Sequence, residues 1–284
     1  MRGIMQARIL DGDALAARLR ENMKTEVAGL KSRGIQPKLV TILVGDNPDS
    51  ATYIGRKHAD CTELGIDSVD IRLQETTTEV ELMALVADFN ADPAVQGLMV
   101  QIPLPEHLDD DAVKAAVLPE KDIDGLHPEN LGRLLAGNPG LISCTPDAIL
   151  TLLRAYDVPL AGRNVTIVGR GQLVGRPLAM LLSMKGIDAD VTLLHSHSTD
   201  IPARLREADV IVAACGQPGF VTADMVKPGA AVVGVGITYD ASGAMMSDVA
   251  QDVAGVAGWV TPPHGSVGPL TRAMLLKNLL IAAG

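Results

Sequence analysis

Asn164-Val-Thr-Ile-Val-Gly-Arg-Gly-Gln-Leu-Val-Gly-Arg-Pro177 is the stretch that decides how this chain is read. The β-favouring residues 165–168 run straight into a glycine turn, Gly169-Arg-Gly-Gln-Leu-Val-Gly175, and an apolar helical run, Leu178-Ala-Met-Leu-Leu-Ser-Met-Lys185, follows. Strand, glycine turn and helix in that order are the layout of a dinucleotide site. The glycines let the backbone turn sharply and approach a pyrophosphate, and the helix start offers free N–H groups and a positive dipole. Gly169, Gly171 and Gly175 are spaced GxGxxxG, one residue longer than the usual fingerprint. Taken alone, that spacing also fits a tight turn in any α/β protein, so the surroundings have to decide.

Working outward, the second half of the chain alternates between the two periodicities. Strands are expected at 164–168, 190–195, 209–213 and 230–236, with a further one within 258–262; helices are expected at 174–185 and 200–207, with a short turn at 222–226. Pro269 then suits the start of a final helix, 270–283. The first half alternates in the same way. Apolar Leu15, Leu19, Met23, Val27 and Leu30 recur at helical spacing, and Lys38-Leu-Val-Thr-Ile-Leu-Val44 reads as a buried strand. Ser50 is expected to cap a helix ending near Gly65, and strands at 66–73 and 97–101 flank a helix opened by Thr76-Thr-Thr-Glu79. Alternating strands and helices predict parallel sheets. The expected fold is therefore two α/β domains with parallel sheets, the second a Rossmann-like dinucleotide-binding domain, with the active-site cleft between them. The expected division is 1–145, with the C-terminal helix 269–284 packing back on it, and 146–268.

Composition narrows the function. The chain has 284 residues, of which 47% are hydrophobic, 20% charged and only 2% aromatic, so its core is built from aliphatic side chains and Met. The formal charge of −10 argues against nucleic acid as a partner. Cys61, Cys144 and Cys215 are far apart and form no CxxC pair, which is the pattern of buried reduced thiols in a cytoplasmic protein. Met1-Arg-Gly-Ile-Met-Gln-Ala-Arg8 has no apolar run of signal-peptide length, Met5 is an alternative start, and no stretch reaches membrane-span length. No membrane partner is expected.

An NAD site ordinarily carries an acid at the end of the second strand, about 20 residues beyond the glycines, to hold the ribose hydroxyls. Here that strand ends in His195-Ser-His-Ser-Thr199, without a carboxylate. Hydroxyls and imidazoles, with Arg170 from the glycine turn, suit a phosphate instead, so NADP is expected rather than NAD. His195 and His197 have no third ligand nearby in sequence, and no metal is expected.

In the first half, Tyr53 and Lys57 stand four residues apart on one expected helix and so share a face. Singly, this pair reads as a solvated face. Gln101, at a strand's C-terminal end, and Asp124, in a loop, are equally plain alone; together the four would set a ring, an amine, an amide and a carboxylate around one cavity.

In order along nearly the whole chain, Ser50-Ala-Thr-Tyr-Ile-Gly-Arg-Lys57, Val100-Gln-Ile-Pro-Leu-Pro105, Pro119-Glu-Lys-Asp-Ile-Asp-Gly-Leu-His-Pro128, Pro159-Leu-Ala-Gly162, the glycine turn with its flanks and Val267-Gly-Pro-Leu-Thr271 resemble the bifunctional methylenetetrahydrofolate dehydrogenase/cyclohydrolase family. The resemblance implies oxidation of 5,10-methylenetetrahydrofolate with NADP⁺ and hydrolysis of the methenyl product to 10-formyltetrahydrofolate. It also implies roles. Lys57 would be the central acid/base group and Gln101 would hold it; Tyr53 would stack on the folate, and Asp124 would bind the pterin, with Pro269 also contacting substrate. Gly169, Arg170, Gly171, Gly175, His195, Ser196 and Ile237 would bind the cofactor. Tetrahydrofolate derivatives would be the partners, and the chain would form a homodimer.

Three departures stand out from that pattern: Gly171 where many members carry serine, His197 where lysine or arginine is common, and Thr261-Pro-Pro-His-Gly-Ser266, which brings His264 and Ser266 in place of a Pro-Gly-Gly ending. The competing readings are another two-domain NADP-linked dehydrogenase, such as one acting on shikimate, and a non-catalytic nucleotide-binding protein.

Overall fold

The computed structural model describes residues 7–239 and 245–284. The chain divides into two compact units: Thr145–Thr271 with the chain as far as Ala17, and Arg18–Cys144 with Arg272–Gly284.

The second of these is built on a three-stranded parallel sheet in the order Asp67–Leu73, Lys38–Val44, Gly97–Val100. The central strand is buried at every residue after Lys38 and the strand Gly97–Val100 is buried throughout. Such continuous apolar runs belong to parallel strands covered on both faces. Val40, Ile42 and Val44 pack with Leu98, Val100 and the helix residues Leu82 and Val86 in one core. The helix Pro48–Leu64 begins earlier than the sequence reading placed it. Asn47, not Ser50, is its cap: the Asn47 side chain accepts from the N–H groups of Asp49 and Ser50, and Pro48 takes the first turn, where no N–H partner is needed. Gly65 ends it in the left-handed conformation. The next helix, Glu79–Ala91, opens with a capping box between Thr78 and Glu81. A helix at Pro128–Leu135 was not foreseen.

The other unit holds a six-stranded sheet, every pairing parallel, in the order Arg8–Ile9, Trp259–Val260, Ala231–Gly234, Val210–Ala213, Asn164–Val168, Asp190–Leu194. Asn164–Val168 therefore lies between its successor in sequence and the strand after that. The chain winds away from it in both directions, and the crevice at the C-terminal ends beside such a switch point is where open α/β sheets take ligands.

Three differences from the sequence reading concern this unit. Residues before Ala17 were expected in the first domain, but Arg8–Ile9 adds a strand beside Trp259–Val260 at the edge of the six-stranded sheet. Two residues are too short for a periodicity to show. An antiparallel hairpin, Ile237–Tyr239 with Met245–Ser247, was also not expected. The last helix is Val267–Ala283, so Pro269 is its third residue, inside the first turn, where a missing N–H does no harm. Among the described residues no helix is long and apolar enough to cross a membrane.

Candidate active site

Lys57 is carried on the inner face of Pro48–Leu64, and only 4% of it is exposed. Its Nζ donates to the sulfur of Met99 at 2.9 Å and, at 3.4 Å, to Oε1 of Gln101. The same nitrogen lies 4.6 Å from the centroid of the Tyr53 ring, one helical turn back, so the shared face expected from the i, i+4 spacing is realised. Gln101 follows directly on Gly97–Val100, and its own amide nitrogen donates to the Ile102 carbonyl at 2.7 Å, which turns the amide oxygen toward the lysine. Burial draws the Lys57 amine below the ordinary lysine value of 10.5; the Asp124 charge opposes this and Arg272 adds to it. Burial also pushes the Tyr53 hydroxyl up, with Asp124 adding to the effect.

Asp124 is half-buried in a loop fastened from several sides. Lys121 Nζ donates to the carbonyls of Phe89, Asn90 and Asp92 at 3.0, 2.8 and 2.7 Å. Asp122 accepts from the His127 N–H and the Asn130 side chain at 2.7 and 2.9 Å, so this buried acid is a structural knot. Burial raises its proton affinity and these donors oppose the rise. Gly125 follows with φ of 68°, and a side chain there would run into the backbone of Ile142 and Ser143. From the last helix, Asn278 donates to the Ile123 and Ile142 carbonyls, both at 2.8 Å. The Asp124 carboxylate thus has a fixed position, and its charge acts on both Tyr53 and Lys57.

In the other unit the glycine turn has the form a phosphate needs. Gly169 has φ of 118°, and a Cβ there would strike the Ala214 carbonyl; a Cβ on Gly175 would strike the Gly169 carbonyl. The helix Gly175–Leu182 begins without a side-chain cap; the Arg176 N–H donates to the Gly171 carbonyl at 3.1 Å and Pro177 has no N–H, so it is the Gly175 N–H that the helix start can offer a ligand. At the end of the neighbouring strand His195 is half-buried, and its Nδ1 accepts from the His197 N–H at 3.2 Å, so in the neutral ring Nε2 carries the proton. Partial burial, then the charges of Arg170 and His197, hold its pKa below 6.5. Ser196 is exposed beside it. These features fit a dinucleotide phosphate on donors and backbone.

The whole chain bears the same relation to known proteins. Residues 10–124 match the model of the tetrahydrofolate dehydrogenase/cyclohydrolase catalytic domain, and residues 143–284 match that of the NAD(P)-binding domain of the same enzymes. The chain belongs to the tetrahydrofolate dehydrogenase/cyclohydrolase family. A bifunctional methylenetetrahydrofolate dehydrogenase/cyclohydrolase from Campylobacter jejuni is 41% identical over 98% of both chains, with a TM-score of 0.95. The enzyme of Trypanosoma brucei, solved with NADP and an inhibitor, is 38% identical over 97% of both chains, with a TM-score of 0.92. An NAD-dependent methylenetetrahydrofolate dehydrogenase from Saccharomyces cerevisiae, 21% identical with a TM-score of 0.82, shares the fold.

As a tetrahydrofolate dehydrogenase/cyclohydrolase, the chain joins Tyr53, Lys57 and Gln101 in direct contact, with Asp124 close enough for its charge to be felt. Gly169, Arg170, Gly171, Gly175, His195 and Ser196 cluster in the other unit around the switch point. Pro269 lies in that unit as well, in the first turn of Val267–Ala283. Ile237 begins the hairpin, and its side chain lies outside the described residues. The readings as a shikimate-type dehydrogenase and as a non-catalytic binding module give way to the family. Among the described residues no three His, Cys, Asp or Glu side chains are grouped to hold a metal.

Sequence reasoning missed three residues at this site. Met99 stands in an apolar strand and looked like core. Asp60, one turn beyond Lys57, pairs with Arg272 at 2.6 Å. The available signal was Arg272 itself, the one charge in the run Leu270 to Leu276, which but for Thr271 is otherwise apolar.

Proposed function

We propose that this enzyme oxidises 5,10-methylenetetrahydrofolate with NADP⁺ and hydrolyses the resulting 5,10-methenyl compound to 10-formyltetrahydrofolate. The observation that carries the reading is Lys57. It is a buried amine touched by a thioether, an amide oxygen and a ring face, in a setting that disfavours its charged form. A lysine becomes a usable base near neutral pH by this route.

Tyr53 stacks on the folate ring system and closes one side of the site. Asp124 accepts the donor edge of the pterin, an N–H and an amino group that match the two oxygens of a carboxylate. Loss of hydride leaves the one-carbon unit cationic. Water adds there, and Lys57 takes the proton and returns one as the ring opens; Gln101 keeps Nζ aligned for both transfers. The methenyl cation itself further disfavours a charged Lys57. NADP⁺ would supply the hydride acceptor, held by the amides at Gly171 and Gly175, with Gly169 making the sharp turn (its own N–H donates to the Leu194 carbonyl) and Arg170, His195 and Ser196 toward the added phosphate. Gly171 and His197 weaken that phosphate grip relative to the usual family pattern, while the lack of an acid at 195–199 favours NADP. The active form is a homodimer.

The test is an absorbance assay of the purified protein with methylenetetrahydrofolate and either NADP⁺ or NAD⁺. Reduced cofactor should form with NADP⁺ without accumulation of the methenyl compound. Lys57→Met should retain part of the dehydrogenase activity and lose the cyclohydrolase. Turnover with neither cofactor, or hydrolysis surviving in Lys57→Met, overturns the reading.

A further inference from the structure

We propose that Met99 is a positioning residue for Lys57, its sulfur holding the lysine nitrogen in place for proton transfer. The inference rests on the role given to Lys57 above.

Met99 is the third residue of Gly97–Val100 and is 3% exposed. Its neighbours Leu98 and Val100 face the apolar core, while its thioether meets Nζ of Lys57 at 2.9 Å. The sulfur lies nearer that nitrogen than Gln101 Oε1 does, at 2.9 against 3.4 Å. Packing alone does not call for sulfur here, since Leu and Met occupy similar volumes in a core.

A thioether differs from its alternatives in one respect. It is a weak acceptor, strong enough to direct an N–H and too weak to favour an ammonium greatly over an amine. A carboxamide in its place would favour the ammonium. A hydrocarbon would leave the amine without its nearest partner. The sulfur therefore anchors the nitrogen while leaving it able to lose its proton. Among the described residues, the charged or titratable groups facing Lys57 are Tyr53 and His58 on its own helix, Asp124 in its loop, Cys144 at the start of the helix Cys144–Ala155, and Arg272 on the last helix. None of these is altered by a substitution at Met99.

The experiment uses the full-length enzyme with methenyltetrahydrofolate as substrate. Hydrolysis is followed across pH for wild type, Met99→Leu, Met99→Gln and Lys57→Met, with NADP⁺ binding as the check that each is folded. Met99→Leu should lower kcat for hydrolysis by roughly tenfold with little change in KM, the size expected when a reacting group loses its alignment. Met99→Gln should move the acid limb of the pH–rate profile to higher pH. Wild-type kcat in the first variant, or an unmoved acid limb in the second, overturns the inference; should one variant fail to fold, the other decides. If Lys57→Met abolishes hydrolysis while both Met99 variants match wild type, the Met99 inference alone fails. If Lys57→Met still hydrolyses, the role of Lys57 fails first.

Discussion

Arg272 donates through Nε to Asp60 at 2.6 Å, joining the last helix to the helix of Lys57 one turn beyond that lysine. The two side chains keep only 15% and 10% of their exposure. A pair so far out of water adds little net stability, but removing one partner strands the other's charge.

Arg272→Leu should therefore destabilise the protein by about 3 kcal/mol, and the double change Asp60→Leu/Arg272→Leu should restore most of that loss. Thermal or denaturant unfolding of the set would show it. A single variant that unfolds like wild type would mean that the carboxylate finds water. Arg272 also helps keep Lys57 neutral, so its loss should shift the acid limb of hydrolysis upward in pH.

Lys57 itself should lower stability. Its folded pKa is depressed, chiefly by burial, so stability is intact above the unfolded value of 10.5, declines below it as the unfolded chain takes up a proton that the folded amine resists, and is fully lost once pH has fallen through the folded value. At neutral pH the loss is in force. Lys57→Met should then unfold at higher temperature than wild type, by a stability gain on the order of 1 kcal/mol, even as hydrolysis disappears. Equal or lower stability at pH 7 would show that the pocket does not strain the amine.

The glycine turn separates two kinds of glycine. A Cβ on Gly171 would meet nothing within 4 Å, so Gly171→Ser should fold normally and add a hydroxyl to the expected phosphate site. KM for NADP⁺ should fall by roughly tenfold, the size of a hydrogen bond to a charged group, without a matching change for NAD⁺. Gly169→Ala meets the Ala214 carbonyl and a φ of 118°, and should lose cofactor binding and stability together. Steady-state kinetics with both cofactors would detect either failure.

His58 carries an acid-sensitive contact beside Lys57. The Thr41 hydroxyl gives its proton to Asp70 at 3.3 Å, so it accepts from His58 Nε2 at 2.8 Å, and Nδ1 accepts from Ser68 at 2.7 Å. This arrangement wants a neutral ring, and burial first among its causes holds the pKa below 6.5. The stability from that ring is present above 6.5 and lost as pH falls through the lower folded value. Melting curves at pH 7.5 and 5.5 should show a larger drop for wild type than for His58→Gln; identical drops would remove His58 from the acid response.

Most of the architecture was legible because local patterns carry it. The Tyr53 and Lys57 spacing predicts a shared helix face, and the helix places them 4.6 Å apart through the ring. The strand at 164–168 and its glycines predict the switch-point turn, since only glycine tolerates Gly169's backbone. The short strand Arg8–Ile9 and the helix Pro128–Leu135 were not legible, because neither has a repeating pattern long enough to see.

The sequence by itself determined two parallel α/β units, the glycine turn, the lack of an acid at 195–199 and, through its motifs, the family. Those are properties of residue type and near spacing, which the backbone reads locally. Only the tertiary structure decided what surrounds Lys57. Met99 lies 42 residues away in the chain and pairs with it across the core. Arg272 reaches Asp60 from 212 residues away. Long-range contacts of this kind form when strand and helix faces are buried together, and no spacing in the sequence encodes them.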